Sequence, residues 1–231
     1  MASKYINHIE RCLDLTNQGK SKINEDILKI LGMSGVLTRH FYNNLCSMDG
    51  CRYLEIGTWV GSSFCAAMCN NNMKCVAIDN WSEFRVSEFR NFVIHDSRME
   101  FLKNYDNFKG ENDARFIEAN CFDIKLDEKF NIYLYDGDHQ KHYEALTHFI
   151  DNMDDEFIYL IDDWNWDHVK NPTLSAISAL NLEILYKKEI FTPEHKGIDW
   201  PAESCKFFRE GGHCDDRDWA NGIGIFVLKK K

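Results

Sequence analysis

A strand that breaks into a glycine turn and resumes as a helix leaves few folds open. Tyr53-Leu-Glu-Ile-Gly-Thr-Trp-Val-Gly-Ser-Ser63 has that pattern. A second short strand, Cys75-Val-Ala-Ile-Asp79, ends in an acid 22 residues after Gly57. Glycines let a backbone come close to a ligand, and an acid at that spacing accepts hydrogen bonds from ribose hydroxyls. The two segments together predict an α/β sheet that holds a nucleoside.

The rest of the chain agrees. Residues 3–48 read as helical, with Ile6, Ile9, Leu13 and then Ile23, Ile27, Ile30, Leu31 at three- and four-residue spacing, broken at Asn17-Gln-Gly19. The Ile-rich face at 23–31 suits either a dimer contact or packing on the sheet. Strands and helices then alternate: strand 51–56, helix 62–71, strand 74–79, a helical stretch from Glu83 to Tyr105, strand 115–118, strand 130–135, a helix from His139 to Met153, strand 157–161, and a helix from Pro172, in its first turn, to Leu180. Such alternation implies a parallel sheet with helices on both faces. Leu182–Phe191 and Ile223–Leu228 read as a final antiparallel pair at the sheet edge. Residues 1–48 form an N-terminal helical cap, and 49–231 form one domain with a 192–221 insert near the active site. The aromatic residues of that insert favour a lid.

Net charge is −10, which speaks against nucleic acid as the main partner, because a phosphate backbone is bound by clustered Lys and Arg. No apolar run reaches membrane-spanning length, and Met1–Glu10 lacks the apolar core of a signal peptide. The expectation is a soluble, cytoplasmic protein with a small-molecule substrate, its oligomeric state open. The chain has nine cysteines and no Cys-x-x-Cys pair, which fits reduced thiols. His195, Cys205, His213 and Cys214 match no standard zinc spacing.

Gly57-x-x-x-Gly61 is not the dinucleotide fingerprint, since Trp59 stands where the second glycine would allow a pyrophosphate to approach. Glu55, at the strand end, would repel a diphosphate and suits a cationic ligand. S-adenosylmethionine carries both an ammonium and a sulfonium. At this point Glu55-Ile-Gly57-Thr-Trp-Val-Gly61-Ser-Ser63 resembles motif I of class I S-adenosylmethionine-dependent methyltransferases, in the E-x-G-x-x-x-G-x-S form of the catechol and macrocin O-methyltransferase-like branches. The resemblance covers roughly residues 50–190. It implies a Rossmann-like, seven-stranded, mostly parallel sheet with an antiparallel edge strand. It also implies a cofactor site at Glu55, Gly57, Thr58, Gly61, Ser62 and Asp136, with Asp79 on the ribose, Trp81 flanking the adenine, and Asn120 and Cys121 at its edge.

Asp136, which ends one buried strand, Asp138, just beyond it, and Asp162 and Asp163, which close the next, gather on one sheet edge. Like charges that close call for protons or a cation, and a hard divalent ion such as Mg²⁺ fits oxygen ligands. By resemblance Asp136, Asp162 and Asp163 hold the metal. It would activate a substrate hydroxyl, with Asp138 or His139 as the base. A helix cap for Asp138, and a loop role for the whole cluster without metal, stay open. His142 reads as a surface or lid contact. Trp164 and Trp166 either wall the pocket or pack, and Asn165 is a further polar candidate. Two other functions also stay open. Asp136-Gly-Asp138 matches the Asp-x-Asp of metal-dependent nucleotide-sugar glycosyltransferases, and the fold could serve as a non-catalytic cofactor- or partner-binding module.

Overall fold

A computed structural model of the chain describes residues 3–82, 87–89, 92–192 and 219–231. Three helices come first: α1 (Lys4–Asn17), α2 (Glu25–Lys29) and α3 (Val36–Leu45). The hydroxyl of Ser3 caps α1 by accepting from the N–H of Tyr5, and Asn24 caps α2 through the N–H of Ile27. Ile27 and Ile30 are buried in the core, so the Ile-rich face packs inside the chain.

The α/β part runs β1 (Arg52–Ile56), α4 (Ser62–Met68), β2 (Lys74–Asp79), a hairpin β3 (Ser87–Phe89) and β4 (Phe92–Ile94), α5 (Ser97–Phe108) and β5 (Asp113–Glu118). It continues with β6 (Phe130–Tyr135), α6 (His142–Phe149), β7 (Met153–Asp162), α7 (Asp167–Ala179), β8 (Glu183–Ile190) and β9 (Ile223–Lys229). Seven strands form the main sheet in the order β5-β2-β1-β6-β7-β9-β8. The first five of these are parallel, and β9 runs against both β7 and β8. The reversed strand therefore sits one place in from the edge that β8 forms. Strand order turns around at β1, between β2 and β6. In open α/β sheets ligands bind at the carboxyl ends of the strands flanking such a point.

Each sheet face has its own core. Tyr53, Ile132, Leu134 and Leu160 pack with α1, α3, α4 and α5. Leu54, Ile56, Tyr133, Tyr159 and Ile161 pack with α6 and α7. The alternation follows the two-residue period of a strand, and the sheet is buried on both sides.

Several boundaries differ from those read in the sequence, and three of the differences bear on the site. The stretch expected to be helical from Glu83 instead holds the β3–β4 hairpin, and the helix begins only at Ser97, where the Asp96 side chain accepts from the N–H of Met99. Residues 83–86 and 90–91 lie outside the described residues. α6 begins at His142 rather than His139, because Asp138 ties the preceding residues into a turn, accepting from the N–H groups of Gln140 and Lys141 at 2.9 Å each. α7 begins at Asp167, which puts Pro172 inside the helix and not in its first turn. Trp164 and Asn165 are pinned by backbone bonds to Gly222 and Asn221, so the chain turns into α7 at once. Most of the 192–221 insert, residues 193–218, lies outside the described residues, as do His195, Cys205, His213 and Cys214.

Gly57 joins the tops of β1 and β6. Its φ is +83°, and a Cβ there would lie 2.0 Å from the Asp136 carbonyl oxygen and 2.9 Å from the Gly137 nitrogen. Both obstacles are backbone and cannot swing away. Gly57→Ala should cost about 2 kcal/mol or more. Urea unfolding of the variant checks this, and an unchanged midpoint would contradict it.

Candidate active site

A cavity of about 740 Å³ lies over the carboxyl ends of β1, β2, β6 and β7. One wall is the glycine turn, and the Asp79 carboxylate fixes that wall in place. Oδ2 accepts the N–H groups of Thr58 and Trp59 at 2.8 Å each, and Oδ1 accepts that of Trp81 at 2.7 Å. The Trp81 indole N–H donates to the Trp59 carbonyl at 2.7 Å, and the Trp59 indole N–H donates to the Ser97 hydroxyl at 3.0 Å. Trp59 and Trp81 have φ of +47° and +49°, costly for bulky residues, and this bonding holds them there. A carboxylate offers about four acceptor positions, so Asp79 keeps about one for a ligand.

Gly57, Thr58, Ser62, Asp79, Trp81, Asn120, Cys121 and Asp136 all line the cavity. Two other residues of the expected cofactor site stand behind the wall. Glu55 is fully buried on the opposite sheet face from Ile56, with Oε2 accepting from the Tyr53 hydroxyl at 2.5 Å and Oε1 from the Ser63 hydroxyl at 2.6 Å. Each oxygen accepts a hydroxyl of the chain itself, and Glu55 is not among the residues that line the cavity. A Cβ on Gly61 would meet the Phe101 ring at 3.0 Å, so that glycine serves packing against α5.

The acids meet on the other side. Asp136, His139 and Asp163 each offer one ligand atom, and these atoms lie within 4.8 Å of one another. Asp163 has φ of +55° and uses both oxygens: Oδ2 lies 3.1 Å from His139 Nε2, and Oδ1 accepts from the Asn221 side chain at 2.7 Å. The Asp163 carboxylate thereby raises the His139 imidazole above its ordinary range. Burial, then Asp162 and Asp163, push the Asp136 carboxyl well up. Burial, then Asp163, push Asp162 up to about 8. The Asp162 Oδ1 is buried without a hydrogen-bond partner. Two carboxylates and an imidazole converging beside an orphaned buried oxygen form a donor set that fits a divalent cation.

Asp138 is exposed at the cavity rim, with Oδ1 held by the Gln140 N–H; it holds a turn and does not cap a helix. His142 is not a surface contact. It is 1% exposed, packs edge-on against the Tyr135 ring at 4.9 Å, and neither ring nitrogen has a hydrogen-bond partner. Burial lowers its pKa to about 3, so it stays neutral. The cause is the late start of α6, whose first turn faces β6. Trp164 is sealed in the core, its indole N–H bonded to Glu189 at 2.9 Å. Asn165 is taken up by Thr192, donating to its carbonyl and hydroxyl and accepting its N–H. Trp166 does line the cavity, stacked on His168 at 5.3 Å with His139 edge-on at 5.1 Å. The sequence reading missed His168, Asn221, Met33 and Ser34. Of these only His168 left a signal, two residues after Trp166 in the first turn of α7.

No protein-family profile matches the sequence, and neither does any curated protein. Solved structures do match. An SAH-bound methyltransferase from Podospora anserina aligns with TM-score 0.52 at 11% identity, over 97% of this chain and 88% of that one. TrmN from Thermus thermophilus aligns with TM-score 0.51 at 12% identity, over 85% of this chain and 48% of its own. A candidate methyltransferase from Thermoplasma acidophilum aligns with TM-score 0.50 at 15% identity, over 79% and 69%. At these identities the likeness is one of fold. The chain has the Rossmann-like fold of the class I S-adenosylmethionine-dependent methyltransferases.

Burial raises the Glu55 carboxyl from 4.5 to about 7. A carboxyl harder to ionise folded than unfolded contributes its stability in full below its unfolded pKa and loses it as pH climbs through its folded pKa. Wild type should therefore lose stability relative to Glu55→Gln between pH 4.5 and 7, by on the order of 3 kcal/mol. Urea unfolding of both proteins at pH 5 and pH 8 measures this, and a pH-independent difference would refute it.

Proposed function

We propose that this chain is an S-adenosylmethionine-dependent methyltransferase acting on a hydroxyl group of a small molecule with the help of a divalent metal. One observation carries the reading: a glycine turn clasped by a β2-end acid and a convergent acid–imidazole group line the same cavity. The SAH carried by the Podospora anserina structure supports the cofactor assignment.

Asp79 would hold the ribose with its remaining acceptor position, beside Trp81 and the Asn120–Cys121 segment. Asp136, His139 and Asp163 would hold the metal, with Asp162 adjacent. Bound there, a divalent ion supplies a lowered pKa and a fixed orientation for an acceptor hydroxyl. Asp138 is the better placed base. Its Oδ1 is taken by Gln140, while Oδ2 at the cavity rim can take the hydroxyl proton. His139 is committed to Asp163. Trp166 and His168 present ring faces that would flank the acceptor and exclude water.

The glycosyltransferase reading loses ground. It needs Asp136 and Asp138 on one metal, whereas Asp136 groups with His139 and Asp163. The intact clasp and acid group also disfavour a module without chemistry. Among the described residues no helix is long and apolar enough to cross a membrane, and seven cysteines are free thiols. We place the activity in the reducing cytoplasm on that basis.

Isothermal titration of S-adenosylhomocysteine into the purified protein tests the cofactor site. Wild type should bind, and Asp79→Ala should weaken binding by about tenfold or more; no binding by wild type would overturn the reading. Titration of Mn²⁺ tests the metal separately. Asp163→Ala should abolish its heat while leaving S-adenosylhomocysteine binding in place. Wild type that takes up no Mn²⁺ would remove the metal from the mechanism.

A further inference from the structure

We propose that Arg39 is a positioning residue for the carboxylate of the cofactor's amino-acid end, acting through the paired hydroxyls of Ser34 and Ser62. The inference rests on the cofactor assignment above and adds Ser34 and Arg39, which lie outside the glycine motif, to Ser62, which lies within it.

Arg39, in α3, is fully buried. Its Nη1 donates to the carbonyls of Ile27 at 2.8 Å and Ile30 at 2.9 Å, at the C-terminal end of α2. Its Nε donates to the Ser34 hydroxyl at 2.9 Å. Ser34 Oγ lies 3.1 Å from Ser62 Oγ, and both serines line the cavity while more than nine-tenths buried. Gly32 makes this approach possible: a Cβ there would fall 2.1 Å from Ser62 Oγ and 3.0 Å from Arg39 Nη2.

The direction of these bonds is constrained. A guanidinium only donates, so Ser34 accepts from Arg39. One hydroxyl proton is then used between the two serines, whichever of them donates. Among the described residues neither hydroxyl has a further partner, so one O–H is left over, polarised by the cation behind it. That donor attracts an anion, in a cavity whose lining also includes the carboxyl groups of Asp79, Asp136, Asp162 and Asp163. A cation-backed hydroxyl suits a carboxylate, and the α-amino-acid end of S-adenosylmethionine presents one.

Two probes separate the role from plain packing: S-adenosylhomocysteine, and 5′-methylthioadenosine, a nucleoside thioether without the amino-acid end. Both are titrated calorimetrically into wild type, Ser34→Ala, Ser62→Ala and Arg39→Lys, with thermal unfolding of each. The serine variants keep the test open should Arg39→Lys fold poorly. The expected result is that Ser34→Ala and Arg39→Lys weaken S-adenosylhomocysteine about tenfold and leave 5′-methylthioadenosine unchanged. Variants that bind S-adenosylhomocysteine as wild type does, or that lose both probes equally, overturn the positioning role while the cofactor reading stands. Wild type that binds neither probe overturns the cofactor reading and this inference with it.

Discussion

One carboxylate organises the ligand side of this molecule. Asp79 stands at the end of β2 and accepts three backbone N–H groups, two from the turn after β1 and one from the turn after its own strand. Hydrogen bonds to a charged acceptor are stronger than neutral ones, and three of them offset the unfavourable left-handed backbone at Trp59 and Trp81. The turn is therefore built before a ligand arrives. Preorganisation of this kind lowers the ordering cost of binding.

The second constraint is the crowding of Asp136, Asp162 and Asp163 at the ends of β6 and β7. Burial and mutual repulsion raise Asp136 and Asp162, while Asp163 is held by His139 and Asn221. A fold tolerates such a cluster only with protons, hydrogen bonds or a cation. The sheet brings it about through topology, since the neighbouring parallel strands β6 and β7 both end in acids and place them side by side at the carboxyl edge of the sheet.

The sequence made much of this legible because the relevant signals are local. The strand–glycine–helix segment at 53–63, the acid of Asp79 and the acids closing the two later strands each depend on a few adjacent residues, and they fall where the patterns placed them. What escaped depends on direction or on distance. Glu55 alternates with Ile56 on its strand, so the parity that sends it behind the wall was present, but the side facing the ligand was not. His142 is buried because a turn held by Asp138 delays α6 by three residues, which hydrophobic periodicity does not encode. Ser34, in the connection between α2 and α3, reaches the cavity and Arg39 stands behind it by tertiary packing alone, and no motif marks them. The hairpin at 87–94 interrupts a stretch whose composition suits a helix.

A crystal structure of the protein grown with S-adenosylhomocysteine tests the central claim most directly. The account predicts density in the 740 Å³ cavity, with a ribose hydroxyl on Asp79 and the adenine beside Trp81 and the Asn120–Cys121 segment. A ligand bound elsewhere, or a cavity without density at saturating concentration, would contradict it.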